Sequence, residues 1–183
     1  MSRTRRLFFG IFPPDDVRKQ LVTLQDTWVR RGNRHHAFDL HMTLVFIGMS
    51  DQQACLETMA SQICLPPFDI RIDTIDYWRR PKVLLAGASE VPGALSALVS
   101  ALNEGALVCD FTPETRPYRP HVTLSRRSMP VETETIDPVE WHVDEFRLAW
   151  SRDGIGTPRY QTVAQWKLVG EAGRETQQHE PLS

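Results

Sequence analysis

Cysteine is scarce in this sequence of 183 residues, and a long hydrophobic run is missing. The three cysteines, Cys55, Cys64 and Cys109, are odd in number and form no C-x-x-C pair. We therefore expect neither a disulfide framework nor a cysteine zinc site, and a reducing cytoplasm fits this usage best. The apolar run of residues 7–12 ends at two prolines and is too short for a signal-peptide core or a membrane span.

The sequence also lacks an excess of charge of either sign, since 21 Lys and Arg face 23 Asp and Glu for a net charge of −2. This balance excludes tight, sequence-indifferent binding of nucleic acid by the protein as a whole, so a nucleic-acid partner must be met locally. Hydrophobic residues make up 41% of the sequence, enough for an ordinary core. Residues 171–183 are polar and charged, which predicts a disordered tail beyond one domain over residues 1–170.

Apolar spacing predicts two rounds of strand, helix and strand. The first round covers a strand at residues 7–12, a helix that starts at Asp15 and ends before Gly32, and a strand at 40–48. The second covers a strand at 83–86, a helix at 92–106 and a strand at 118–125. The remaining elements are a helix near 51–63 and strands at 67–77, 141–150 and 160–169, the last two joined across residues 153–156. Together these elements predict an α+β fold with two related lobes.

The second strand of each round carries a His-x-Thr motif, with His41 and Thr43 in the first and His121 and Thr123 in the second. Side chains two residues apart on a strand share a face, so each imidazole has a hydroxyl about 6 to 7 Å along the strand. Phosphodiester hydrolysis needs a base, an acid and donors to the non-bridging oxygens, and these four side chains can supply all three without a metal. One such pair is ordinary in a strand, but two copies in equivalent places indicate a functional site.

The paired motifs resemble those of the two-histidine (2H) phosphoesterase superfamily, and more narrowly the bacterial RNA 2′,3′-cyclic phosphodiesterase family, also labelled 2′-5′ RNA ligase. The residues that carry this resemblance are His41-Met42-Thr43-Leu44 and His121-Val122-Thr123-Leu124-Ser125-Arg126, and it extends over about residues 5–169. It implies a bilobal α+β fold in which two pseudo-symmetric lobes with antiparallel sheets line a central cleft. It also implies hydrolysis of 2′,3′-cyclic phosphates on RNA or nucleotides to 2′-phosphates, without ATP or a metal.

The same resemblance implies a role for each motif residue. His121 is the general base that activates water, His41 is the general acid that protonates the 3′ oxygen, and Thr43 and Thr123 bind non-bridging oxygens. Arg126 matches a family position that contacts phosphate. Strict strand alternation would turn Arg126 away from the cleft, so we expect a bulge or a strand end there. We also expect both histidines to have pKa values within about two units of 6.5.

Phe9, Trp78 and Arg80 are further candidates for substrate contact. Phe9 could stack a base beside the cleft, although a phenylalanine in a strand is more often part of the core. Trp78 and Arg80 lie in an aromatic and cationic segment that could stack a base and attract a phosphate backbone, with a solvated turn as the alternative.

The remaining histidines and a row of aspartates indicate no metal site. We expect His35, His36, His142 and His179 to be solvent-exposed, because no acidic or cysteine partners lie at ligand spacing. Asp69, Asp73 and Asp76 could suggest a cation site, but Phe68, Ile70 and Ile72 alternate with Asp69, Arg71 and Asp73, as in an ordinary half-exposed strand.

Two other functions stay open at this point: reversible 2′-5′ RNA ligation and cleavage at the same site, and a non-catalytic module that binds RNA ends. We expect no cofactor and no metal. The expected partners are RNA ends or small cyclic nucleotides as substrates, with no membrane, and the expected form is a monomer in the cytoplasm.

Overall fold

The computed structural model of the protein describes residues 4–152 and 158–170. Within these ranges the helices are α1 (Asp15–Trp28), α2 (Gln53–Ala60) and α3 (Gly93–Ala106). The strands are β1 (Arg5–Ile11), β2 (Asn33–Arg34), β3 (Met42–Ser50), β4 (Phe68–Trp78), β5 (Val83–Gly87), β6 (His121–Arg126), β7 (Glu134–Val143), β8 (Glu145–Ser151) and β9 (Tyr160–Lys167). The predicted tail at 171–183 and the predicted connection at 153–156 lie outside the described residues. None of the described helices is long and apolar enough to cross a membrane.

The strands form an antiparallel sheet in the order β7-β4-β5-β6-β3-β1-β8-β9, with β2 paired to β6. The sheet consists of two four-stranded halves, β7-β4-β5-β6 and β3-β1-β8-β9, which meet where Met42 of β3 pairs with Val122 of β6. The halves contain the two predicted rounds, as β5–α3–β6 and β1–α1–β3. The α+β fold with two related lobes is confirmed, and a continuous sheet links the lobes.

The two motif strands are the innermost strands of their halves. His41 directly precedes β3 and His121 opens β6, so the antiparallel pair between Met42 and Val122 brings the two motifs together at their first residues. The intervening apolar side chains point to the opposite face, where Met42, Val122 and Leu124 are 0% exposed. The predicted alternation of the motifs is confirmed, because burying one face of a strand leaves the other face for the cleft.

The C-terminal strands differ from the prediction. The single strand expected at 141–150 is two strands, β7 and β8, separated at Asp144, whose carbonyl accepts the backbone N–H of Leu168 at 2.7 Å. Most of β7 was not predicted, because it contains Pro138 and several charged residues. β7 is an edge strand, where a proline and charges are tolerated since one side makes no strand pairs.

Cys55 on α2 and Cys109 in the 3₁₀ turn after α3 form a disulfide, so the expectation of no disulfide is wrong. The two cysteines are 54 residues apart in the sequence and meet because α2 packs against α3 and the following turn. Spacing along the chain could not reveal this packing. Cys64 is free, and the argument from cysteine usage for a reducing compartment no longer holds.

Candidate active site

A cleft with a volume of about 450 Å³ opens where the two half-sheets meet. Both predicted His-x-Thr pairs and Arg126 line it, together with residues from β1, the segment before β3, and the start of β9. Its lining residues are Arg6, Phe8, His35, His41, Thr43, Phe46, His121, Thr123, Arg126, Ser151, Arg159 and Tyr160. The structure therefore brings the two motifs to one cavity.

The His41 ring is fixed by a carbonyl on one side and faces the cleft with the other. Its Nδ1 lies 2.7 Å from the Asp39 carbonyl oxygen, and its Nε2 lies 3.1 Å from the Thr43 hydroxyl. A carbonyl can only accept, so Nδ1 carries the proton and donates it, which leaves Nε2 for the reaction. Phe8 and Tyr160 enclose the ring at centroid distances of 4.9 and 4.6 Å.

The His121 ring repeats this arrangement in the other lobe. Its Nδ1 donates to the Arg119 carbonyl at 2.8 Å, again the residue two positions earlier. The Trp78 ring packs against the imidazole with centroids 4.5 Å apart, and the Arg119 guanidinium lies 5.5 Å from the Trp78 ring. Each histidine is thus held in the tautomer whose Nε2 is available to a substrate.

Burial lowers the pKa of both catalytic candidates. The pKa of His41 falls to about 4, whereas that of His121 falls below 6.5. His41 thus lies at the lower edge of the expected range of about two units around 6.5, because its aromatic surroundings exclude water and disfavour the charged ring.

Besides burial, neighbouring charges also shift the pKa values of the two rings, and these charges differ between His41 and His121. The Asp39 carboxylate raises the pKa of His41, while the charges of His121 and Arg126 lower it. Around His121 the charges of Arg119 and Arg126 both lower the pKa. Burial is nevertheless the largest influence on both pKa values, so the free enzyme favours the neutral imidazole at His41 as well as at His121.

Arg126 reaches the cleft because β6 contains the expected bulge. Leu84 of β5 pairs with Ser125 and Leu85 pairs with Thr123, so Leu124 is the extra residue. The extra residue reverses the alternation and turns Arg126 to the side of the motif. Gly32 permits β2 to approach this bend, since a Cβ there would lie 2.8 Å from the Arg126 carbonyl oxygen and its φ is +123°.

The other three predicted contact residues lie in different places. Phe9 is 0% exposed and packs against Phe146 and Trp166, so it belongs to the core and cannot stack a base in the cleft. Trp78 packs against the His121 ring and does not line the cleft. Arg80 is exposed in the β4–β5 turn and does not line the cleft.

His35 was expected to be solvent-exposed, and this expectation is wrong. His35 is half-buried and lines the cleft, because the pairing of β2 with β6 carries the segment before β3 over the motif. His36 and His142 are exposed as expected, the latter 2.7 Å from the Asp69 carboxylate. His179 lies outside the described residues.

Several cleft residues were missed by sequence reasoning. Phe8 was passed over because β1 is buried on both faces, so hydrophobicity does not show which side faces the cleft. Arg159 and Tyr160 are held there by Asp39, whose carboxylate accepts their backbone N–H groups at 2.7 and 3.2 Å. An acidic residue two positions before the motif histidine is the signal that could have suggested this anchor.

Asp73 and Asp76 form hydrogen bonds with other side chains of the protein and do not come together as a metal site. Asp73 accepts from the hydroxyl of Ser89 at 2.6 Å, and Asp76 accepts from Arg119 at 3.3 Å. In residues 4–152 and 158–170 there is no group of three side chains that could hold a metal ion.

Comparisons with known proteins identify the family to which the chain belongs. The family model described as the 2′-5′ RNA ligase superfamily matches residues 13–155. The RNA 2′,3′-cyclic phosphodiesterase of Escherichia coli (strain K12) is 32% identical over 177 residues, which cover 92% of this chain and 99% of that protein. The RNA 2′,3′-cyclic phosphodiesterase of Thermus thermophilus is 31% identical over 94% of this chain and 95% of that protein. The crystal structure of E. coli LigT complexed with 3′-AMP has a TM-score of 0.80 and 29% identity, over 91% of this chain and 99% of that one. The chain therefore belongs to the 2′-5′ RNA ligase superfamily.

Proposed function

We propose that this protein hydrolyses 2′,3′-cyclic phosphates at RNA or nucleotide ends to 2′-phosphates, with His121 as general base and His41 as general acid. The observation that carries the proposal is that two His-x-Thr pairs from adjacent strands face one cleft, each ring held by a carbonyl so that its Nε2 is available. The names of the E. coli and T. thermophilus relatives support the same activity.

The proposed reaction needs only side chains of this chain and water. Nε2 of His121 accepts a proton from water as the water oxygen forms a bond to phosphorus. The bond between phosphorus and O3′ breaks, and His41, which must be in its imidazolium form for this step, donates its Nε2 proton to the leaving oxygen. The Thr43 and Thr123 hydroxyls and the Arg126 guanidinium bind the non-bridging oxygens, where negative charge builds up. The products are a 2′-phosphate and a free 3′-hydroxyl.

An RNA end, rather than a free nucleotide, is supported by a basic strip beside the cleft. The strip comprises six exposed cations from three neighbouring chain segments: Arg30, Arg31, Arg79, Arg80, Lys82 and Arg127. These segments adjoin because Asn33 and Val83 both pair with Arg126, and the Ser128 backbone N–H donates to the Lys82 carbonyl at 3.1 Å.

The strip keeps an excess of positive charge, although Glu132 and Glu134 line the same surface pocket as Arg30 and Arg31. None of its six members forms an ion pair within the part of the chain that the structure describes. Because the whole chain has a net charge of −2, this local excess marks the place where a polyanion would be attracted. The basic strip extends away from Arg126. This placement supports a substrate whose RNA strand continues from the cyclic end along the strip.

A direct test offers three substrates to the purified protein without ATP: a 2′,3′-cyclic mononucleotide, an oligoribonucleotide with a 2′,3′-cyclic end, and a 2′-5′ dinucleotide. We expect both cyclic substrates to open to 2′-phosphates, the oligonucleotide with the higher kcat/KM. Faster cleavage of the 2′-5′ linkage than of either cyclic phosphate would favour the ligation and cleavage alternative. Cyclic-ended RNA that binds and stays unchanged would favour a non-catalytic binding module.

We further propose that the protein acts as a monomer. Both motifs come from one chain, so the cleft needs no residue from a second copy. Sedimentation at the mass of one chain, with full activity, is the expected result. Activity should also persist in dithiothreitol, because Cys55 and Cys109 do not line the cleft.

A further inference from the structure

The cleft holds more positive charge than a single cyclic phosphate requires. Arg6, Arg126 and Arg159 all line it beside the two catalytic imidazoles, whereas a cyclic phosphodiester carries one negative charge. Arg126 adjoins the second motif along β6 and is assigned to the reacting phosphate. Arg159 comes from the other side, immediately before β9.

His35 shares this part of the cleft and has a fixed backbone position. Its backbone N–H donates to the Leu124 carbonyl at 3.1 Å, and its own carbonyl accepts from the Gln25 side chain at 2.9 Å. The same Gln25 amide donates to the Leu124 carbonyl at 2.8 Å, and Gln25 is 2% exposed. The position of His35 is therefore set by the bulge in β6 that also positions Arg126.

The imidazole of His35 presents one nitrogen to the cleft. Its Nδ1 is buried and has no hydrogen-bond partner in the described structure. A buried N–H without an acceptor is costly, so the proton belongs on Nε2, and only Nε2 can meet a ligand. Burial, followed by the charges of Arg126, His41 and Arg159, lowers the pKa of His35 to about 4. At neutral pH His35 is thus an uncharged hydrogen-bond donor beside a guanidinium.

We propose that His35 and Arg159 form a second phosphate subsite, which binds the 5′-phosphate of the nucleotide whose 2′,3′-cyclic phosphate is opened. This inference rests on the proposed function and names a further part of its substrate. In RNA the 5′-phosphate is the phosphodiester that joins the last nucleotide to the preceding one. The subsite would let the enzyme recognise the end of an RNA by its last two phosphates. The rest of the RNA strand would then follow the basic strip.

The test compares adenosine 2′,3′-cyclic phosphate with its 5′-phosphorylated form as substrates. We expect the wild type to show a kcat/KM at least about tenfold higher for the 5′-phosphorylated form, the effect of one hydrogen bond to a charged group. His35→Leu and Arg159→Gln should each reduce this ratio toward one. His35→Gln is the matched control: its amide N–H can replace Nε2–H, so the ratio should be largely retained.

Equal kcat/KM values for the two substrates in the wild type would overturn the subsite. Retention of the full ratio in both His35→Leu and Arg159→Gln would overturn it as well. If His35→Leu melts before assay temperature, Arg159→Gln decides alone, since Arg159 is exposed and its loss leaves the core intact. A folded wild type that opens neither substrate would instead refute the proposed function, and the subsite with it.

Discussion

The Asp39→Asn substitution removes one negative charge beside His41 and leaves the geometry of the site in place. Asp39 is 5% exposed, and its carboxylate oxygen accepts the backbone N–H groups of Arg159 and Tyr160 at 2.7 and 3.2 Å. The asparagine oxygen can accept both. The backbone carbonyl that orients His41 is unchanged. The variant therefore isolates the electrostatic effect of Asp39 on the His41 ring.

The expected effect follows from the charge that Asp39 places near His41. An opposite charge close to an ionisable group shifts its pKa by about 1 to 3 units, and we expect about one unit here. Without that carboxylate the pKa of His41 falls further below its present value of about 4. One unit is about 1.4 kcal/mol, so the protonated fraction of a general acid drops about tenfold at pH 7 and above. kcat/KM for a cyclic nucleotide should fall by the same factor.

The assay is kcat/KM for a 2′,3′-cyclic nucleotide at about pH 7.5 in the wild type, Asp39→Asn and Asp69→Asn. Asp69→Asn is the matched control, because Asp69 also contacts a histidine, His142, but lies on β4 and does not line the cleft. We expect the control to equal the wild type. An unchanged kcat/KM in folded Asp39→Asn would refute the reasoning, and a gain confined to acidic pH would identify His41 as the base.

Three further predictions concern stability and metals. Gln25→Leu should lower the free energy of unfolding by about 1 to 3 kcal/mol, because the part-buried His35 carbonyl loses the Gln25 donor and the buried Leu124 carbonyl keeps only the His35 N–H; equal melting of Gln25→Leu and the exposed control Gln20→Leu would contradict this. The pKa values of His35 and His41 are about 4 in the folded state, below the ordinary 6.5. Between about pH 4 and pH 6.5 the unfolded chain therefore binds more protons than the folded chain does. Their contribution to stability is complete above pH 6.5 and is lost as the pH falls toward 4, which thermal unfolding should show, less steeply in His35→Leu. Activity should survive excess EDTA, whereas loss that one divalent ion restores would indicate a metal-activated water.

The motif geometry could be predicted from the sequence because it depends on local rules. Alternation along a strand determines that His41 and Thr43 share a face, and duplication of the pair indicates a functional site. A bulge or a strand end near Arg126 was expected, because the resemblance assigns Arg126 to phosphate and strict alternation would turn it away, and the structure has a bulge at Leu124.

The residues that close the cleft could not be predicted, because long-range pairing places them. His35 belongs to a polar segment with no periodicity, and only the pairing of β2 with β6 brings it over the motif. Arg159 reaches the site through a hydrogen bond to Asp39, 120 residues away in the sequence. The disulfide between Cys55 and Cys109 likewise depends on helix packing.

The measurement that tests the central claim most directly is the pH dependence of kcat/KM for a 2′,3′-cyclic nucleotide in the wild type, His41→Ala and His121→Ala. The wild type should give a bell centred below pH 6.5, because both histidines have lowered pKa values in the free enzyme. Each variant should lose about 10²- to 10⁴-fold in rate. His41→Ala should keep only the acidic limb, which reports the base, and His121→Ala only the alkaline limb, which reports the acid. Exchanged limbs would reverse the two roles, and near-wild-type hydrolysis by either folded variant would contradict two-histidine catalysis in this protein.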